Sequence, residues 1–470
     1  MERSTVQSCL AAPFLIFRIT ILDPCCWRPR TGSSRDTLTV FKSKRTLQPL
    51  IEDSFLDKIF VRFESDEQKI DGLQTIALQT VEGARPKFLY AQPNVLHTPA
   101  TDEMRARLEA TGATIFEDVQ FRVLPGDDEA YDDLDQADRW MQAPDPDTID
   151  GYSLRDVVEQ VGAPRAWQHT KGEGVTIAIV DTGVAGARLE FLPGQRSPID
   201  LDSEYLGQHW SDPAGHGSTC AAIAAGSRAA GGRYDGVAPG ATILAARSTL
   251  KTTDLADIYD ELLRARIEGN IAGPLVVSNS YGLYVCDSLA ILPEDHPYMG
   301  SVLAAVNNGI FVCFAAGNNH HDVCKHDPYA CGPNTIWGPN SHDDIVSVGT
   351  VNRALTNRDP ATPHVGSSRG PGEWAKQTSK PDCVAPTYGE VPWGTVYRKM
   401  GWWGTSGACP QVAGAAALML SACPTLTPSQ IADGIRDTCS LLPEGKTCVG
   451  HGLLDCEAAV ETAIKLRSTT

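Results

Sequence analysis

No apolar run in this 470-residue chain reaches the ~20 residues a helix needs to cross a bilayer. The nearest stretch, Leu10 to Leu22, is short and is broken by Arg18. It also makes a poor secretory signal: Glu2 and Arg3 nearly cancel, and no small-residue cleavage site follows. Positive charge is scarce. Forty Lys and Arg stand against 58 Asp and Glu, a formal net charge of −18, which argues against general affinity for nucleic acid. Paired CxxC spacing is missing too, so His320, His321, Cys324 and His326 have zinc-compatible side chains without the usual zinc context. No Asp/Asn/Gly loop has a recognisable calcium spacing. Cysteine itself is not scarce: there are fourteen, which leaves the redox compartment open.

What is present centres on Trp403-Gly404-Thr405-Ser406-Gly407-Ala408-Cys409-Pro410-Gln411-Val412-Ala413-Gly414. A glycine turn followed by small apolar residues predicts a buried helix with Ser406 at its entrance. Unpaired N–H groups and the positive end of the helix dipole there favour developing negative charge. Pro410 is expected in the first turn or so, where a proline is tolerated. Upstream, Val175 to Val180 is an apolar, β-branched run ending in Asp181. That pattern predicts a buried parallel strand with an acid at its carboxyl end, where open α/β sheets place their sites. Gly215-His216-Gly217-Ser218 puts a histidine at the mouth of another small-residue helix. Each window alone has an ordinary structural explanation. Together they supply an acid, a base and a nucleophile in the order Asp, His, Ser.

These windows resemble those of the subtilisin-type serine proteases, over roughly residues 155 to 465. The resemblance implies that Ser406 attacks the scissile carbonyl, that His216 moves the proton and that Asp181 orients the imidazole, with the roles known for subtilisin itself. Ile310 to Ala316 reads as a strand, and Asn318 just after it matches the family's side-chain donor to the oxyanion. Ser280-Tyr281-Gly282 matches the edge on which a substrate lies as an added strand, and Ala315-Ala316-Gly317 the opposite wall. Gly407, Cys409, Gln411 and Thr219 depart from the usual residues at their positions, but none removes a catalytic group. Cys220, four places after His216, is shared with the kexin branch. The family's chemistry needs no cofactor, and many members bind structural calcium. The resemblance favours secretion, a polypeptide substrate and a monomer.

Strands alternating with helices predict an α/β, three-layer subtilisin-like fold with a mostly parallel sheet. Ahead of it, residues 1–54 read as a mobile basic tail. Residues 55–125 read as a small α+β unit with strands near Lys58–Phe63, Pro86–Tyr90 and Ile115–Val123, and a helix capped by Thr101. Its position is similar to that of the family's inhibitory prosegments. Residues 126–152 form an acidic linker, with ten acids and one base between 126 and 150. The catalytic domain is expected over 153–470, with Thr253 capping a helix that runs to about Gly269. The insert from Asn319 to Asn340 is expected to shape the pocket floor, with Cys324 and Cys331 as candidates for a disulfide within it. The function expected is a serine endopeptidase. The alternatives are a dedicated processing protease for one partner protein and a non-catalytic binding protein on the same fold.

Overall fold

The computed structural model describes residues 57–79, 86–123 and 151–468, apart from 189, 192, 198, 200, 203–209, 287–290, 322 and 353–360. The basic tail and nearly all of the acidic linker lie outside the described residues.

A seven-stranded parallel sheet forms the centre of the molecule. Its strands lie in the order 383–386, 346–351, 311–315, 275–279, 176–181, 242–247, 201–202. The 176–181 strand is fully buried because it carries apolar residues on both faces, as a central parallel strand must. Ile177 and Ile179 point into one core with the helices His216–Ala225, Gly404–Ala422 and Cys456–Arg467. Ala178 and Val180 point into the other, with Thr252–Ile267 and Pro297–Asn307. This is the three-layer α/β arrangement expected. Among the described residues, no helix is long and apolar enough to cross a membrane.

Residues 57–117 add a four-stranded antiparallel sheet, in the order 87–88, 95–99, 58–62, 114–117. The strand Val95–Pro99 and the helix Asp66–Gln79 are additions to the elements read from sequence. Period-two alternation in Lys58–Arg62 sends Ile59 and Val61 into the unit's own core with Met104 and Leu108. Phe60 goes the other way and joins the larger body's core with Leu89, Val95 and Phe116. Thr101 caps the helix Asp102–Ala110 by accepting from the Met104 N–H at 3.2 Å, as predicted.

Three local expectations change. The helix expected to start from a Thr253 cap begins at Thr252. Its cap comes from a distant carboxylate: Asp118 accepts from the Thr253 N–H at 2.9 Å and from the hydroxyls of Thr252 and Thr253 at 3.0 and 3.1 Å. Pro410 lies well inside the Gly404–Ala422 helix, beyond the first turn. Cys324 does not pair with Cys331. Cys324 pairs with Cys286 and Cys331 with Cys448, at Cα separations of 5.2 and 4.9 Å, so each bridge ties the insert to a different segment.

Candidate active site

Asp181 ends the central strand and is fully buried. His216 is the first residue of its helix and is 3% exposed. Its Nδ1 lies 2.8 Å from Asp181 Oδ1. The close approach depends on Gly217, since a Cβ there would stand 2.1 Å from the Gly183 carbonyl oxygen and 3.0 Å from Asp181 Cβ. The turn before the helix is held by Asp212, which sequence reasoning missed. Asp212 accepts from the Gly215 N–H at 2.9 Å, the Thr182 hydroxyl at 2.8 Å and the Ser218 N–H at 2.7 Å. An Asp three residues before Gly215 and six before Ser218 was a legible cap signal.

Burial alone would depress the His216 imidazole, but the Asp181 carboxylate facing it outweighs that and holds its pKa well above the ordinary value. Burial pushes the Cys220 thiol up, so this neighbour is a neutral SH. Among the described residues, His216 Nε2 has no hydrogen-bond partner.

Ser406 lies in the first turn of the Gly404–Ala422 helix and is 3% exposed. Its Oγ donates to the Ser280 carbonyl at 3.2 Å. Pro410 has no N–H to give to the Ser406 carbonyl four residues back. That carbonyl accepts instead from Ser280 Oγ at 3.0 Å and Cys220 Sγ at 3.6 Å. Cys220 Sγ also lies 3.9 Å from His216 Nδ1, so one thiol touches both the nucleophile's backbone and the imidazole.

Asn318 follows the Phe311–Ala315 strand and is buried. Its Oδ1 accepts from the Thr405 N–H and hydroxyl at 3.0 and 2.9 Å, which turns Nδ2 the other way, toward Tyr284 Oη at 3.3 Å. Gly404, at φ +68°, leaves room for this: a Cβ there would sit 3.0 Å from Asn318 Nδ2.

Ser280, Tyr281 and Gly282 follow the Leu275–Asn279 strand, and Ala315 to Gly317 end the next one. Asn340, a further residue missed from sequence, ties the two together by donating to the carbonyls of Tyr281 and Ala315, both at 2.7 Å. Gly282 is already paired. Its N–H and C=O bond Arg122 at 2.9 and 3.1 Å, and the Phe121 N–H donates to the Leu250 carbonyl at 2.9 Å. Phe121 is fully buried against the rings of Tyr281 and Tyr298, with centroids 5.5 and 5.7 Å away. Tyr284 Oη donates to the Val123 carbonyl at 2.9 Å, next to its contact with Asn318.

The zinc residues do not fit an ion. Cys324 is in a disulfide, His320 Nε2 bonds the Asp327 carbonyl and His321 Nδ1 the His326 carbonyl. Among the described residues, Asp181, His216 and Cys220 form the one cluster of three or more metal-type side chains, and it is the acid–base pair with its thiol neighbour. Asp382 and the Ile345 carbonyl also converge, but on the Lys380 ammonium, at 2.8 and 2.5 Å.

A parallel sheet with a buried acid at a strand end, a histidine on it and a serine at a helix mouth defines a serine-type hydrolase of the α/β class. The subtilase family model matches residues 172–453, and the chain belongs to that family of serine peptidases. It is 30% identical over 323 residues to the serine protease AprX of Bacillus subtilis, covering 63% of this chain and 68% of that protein. A calcium-dependent protease of Trichormus variabilis is 25% identical over 474 residues, covering 89% of this chain and 64% of that one. Among solved structures, fervidolysin from Fervidobacterium pennivorans, a keratinolytic enzyme related to subtilisin, superposes with a TM-score of 0.62 at 18% identity. That match covers 86% of this chain and 61% of fervidolysin, and it supports the fold alone.

Proposed function

We propose that this chain is an endopeptidase that cleaves polypeptides through an acyl-enzyme on Ser406, with residues 55–125 acting as its own inhibitory prosegment. The observation that carries the catalytic reading is the 2.8 Å His216–Asp181 contact, which leaves Nε2 without a partner among the described residues, together with Ser406 at a helix mouth. Asp181 fixes the tautomer with the proton on Nδ1, so Nε2 is the base. For the reaction, Ser406 Oγ must leave the Ser280 carbonyl and give its hydrogen to that nitrogen. Such bonds are often unmade before substrate binds.

As Oγ attacks the carbonyl carbon, its proton passes to Nε2. The charge that develops on the carbonyl oxygen is met by Asn318 Nδ2, aimed in advance by its bonds to Thr405. Collapse expels the amine, which takes the proton from His216. Water then attacks the acyl ester, gives its proton to Nε2 and frees the acid, with Ser406 regaining its hydrogen. No step calls for a metal. The Trichormus relative is a calcium-dependent protease, and calcium, if this chain binds it, belongs to stability.

The inhibitory reading rests on Arg122, which lies against Gly282 as an added antiparallel strand, the way a substrate would. With the edge occupied by the chain's own residues, the site is closed to other polypeptides until the segment leaves. The acidic linker is the place for the cut, between Gly126 and Tyr152. Ser406→Ala should lose fluorophosphonate labelling and ester hydrolysis and stay at 50.5 kDa, while wild type trims to a product starting in the linker. Undiminished labelling of that variant would sink the nucleophile. Full activity of an untrimmed wild-type chain would sink the prosegment.

A further inference from the structure

The hairpin formed by Gly389–Trp393 and Val396–Met400 has no part in the reaction just described. It nevertheless closes on the mouth of the histidine helix. The Gly394 N–H donates to the Gly215 carbonyl at 3.2 Å. A Cβ on Gly215 would stand 2.9 Å from the Gly394 backbone and 3.3 Å from Trp393 Nε1. Trp393 meets the His216 imidazole nearly at right angles, with ring centroids 6.3 Å apart and an interplanar angle of 85°. The indole is 6% exposed.

The other polar contacts of the imidazole restrain one atom. Asp181 Oδ1 and Cys220 Sγ both lie on Nδ1. With the ring tethered at Cγ and bonded at the neighbouring Nδ1, those contacts act on one edge, and the motion they oppose least is a tilt that swings Nε2. A perpendicular aromatic contact removes that tilt, and such pairs are favourable beyond simple area burial.

The hairpin tip is itself anchored. Arg188 Nη1 donates to the carbonyls of Gly394 and Val396 at 2.6 and 3.0 Å, and its Nη2 donates to Glu190 at 3.2 Å. Arg188 and Glu190 are both buried, and buried charges persist where they are paired and bonded. The same guanidinium lies 4.8 Å from the Tyr397 ring centroid on the second strand of the hairpin.

We propose that Trp393 is a positioning residue for the base: its ring holds the His216 imidazole in the plane that presents Nε2 to Ser406 and then to the departing amine. The role belongs to the ring. Trp393 Nε1 is buried with no hydrogen-bond partner among the described residues, so the ring and not its N–H makes the contact. The inference rests on the acid–base reading above.

The test uses the protein expressed as the full chain and purified in its active form, with a peptide anilide, for which acylation limits the rate. Trp393→Ala is expected to lower kcat by about 10- to 100-fold, the scale of a misplaced catalytic group, with KM within about threefold. Trp393→Phe should restore kcat to within about threefold of wild type, because it keeps a flat ring. Trp393→Leu should fill the space and fold, yet leave kcat as low as alanine does. If the alanine variant does not fold, the Leu and Phe pair decides. Wild-type kcat in the Leu variant, a loss confined to KM, or a Phe variant as impaired as Leu would each overturn the proposal. Continued hydrolysis by Ser406→Ala would instead overturn the catalytic reading beneath it, so the two failures are told apart.

Discussion

Replacing Phe121 by alanine separates substrate-like docking from incidental contact. Phe121 is fully buried between Tyr281 and Tyr298, just before the residue that pairs with Gly282. A phenylalanine buries roughly 150–250 Å², worth about 4–6 kcal/mol at ~25 cal/mol per Å². Measured Phe-to-Ala losses run about 3–5 kcal/mol. Alanine keeps the backbone bonds, and the emptied socket opens to water once the segment leaves. The lower end therefore applies, about 3 kcal/mol or roughly two decades in affinity.

The assay is the inhibition constant of the 55–125 segment against trimmed enzyme. Phe121 packs with the larger body, whereas the segment's own core is Ile59, Val61, Phe63, Leu96, Met104 and Leu108. Any folding cost is thus common to both segments and cancels in the ratio. Leu78→Ala, at a site 80% exposed, should leave inhibition unchanged. If Phe121→Ala inhibits within threefold of wild type, residues 120–123 do not hold the segment on the substrate edge.

Other perturbations have equally direct readouts. Asp181→Asn removes the charge that raises the His216 pKa. Activity needs the neutral imidazole and is lost as pH falls through that pKa, so the acid limb of kcat/KM should move to lower pH while the maximum drops by about 10⁴. Asn318→Ala should cost about 10²–10³ in kcat with little change in KM, measured on one anilide. Burial pushes the Asp257 carboxyl up, but His97 and Lys87 of the segment outweigh it and hold it below the ordinary 3.8. That contribution to docking is present above the free pKa and lost as pH falls through the depressed one. Binding of the segment, read by calorimetry because the enzyme is inactive at such pH, should therefore weaken below about pH 3.8 and should lose this dependence in Asp257→Asn. Unreduced peptide mapping should yield Cys286–Cys324 and Cys331–Cys448, closing loops of 38 and 117 residues. Loop-closure entropy assigns these about 4 and 5 kcal/mol, so reduction should lower Tm by many degrees, read by calorimetry.

The parallel sheet was legible because its strands are continuous apolar runs, and Asp181 and His216 because glycines and small residues surround them. The rest was hidden for one recurring reason: the deciding partner is far away in the chain. Asp118 caps a helix 135 residues on, and nothing local distinguishes it from a surface acid. Val95–Pro99 shows no alternation because both of its faces are covered, one by the small unit and one by the large body. The Asp66–Gln79 helix leaves Ile70 and Leu78 exposed, which blurs its apolar stripe. The cysteines of the insert were judged by nearness in sequence, yet each pairs across 38 or 117 residues. Trp393 gives no signal at all until the hairpin is placed against Gly215.

The missing N–H of Pro410 also bears on when the enzyme becomes dangerous. A helix that satisfied the Ser406 carbonyl internally could seat its nucleophile by itself. Here the carbonyl takes its bonds from Ser280 and Cys220, 126 and 186 residues earlier in the chain. Both are made before the helix that begins at Gly404, which is seated only when it meets them. During synthesis, the sheet strands that precede this helix are made while no serine stands at the site. On the proposed chemistry, proteolysis waits until the helix that begins at Gly404 has been made and has met Ser280 and Cys220, before any inhibitory segment is called on.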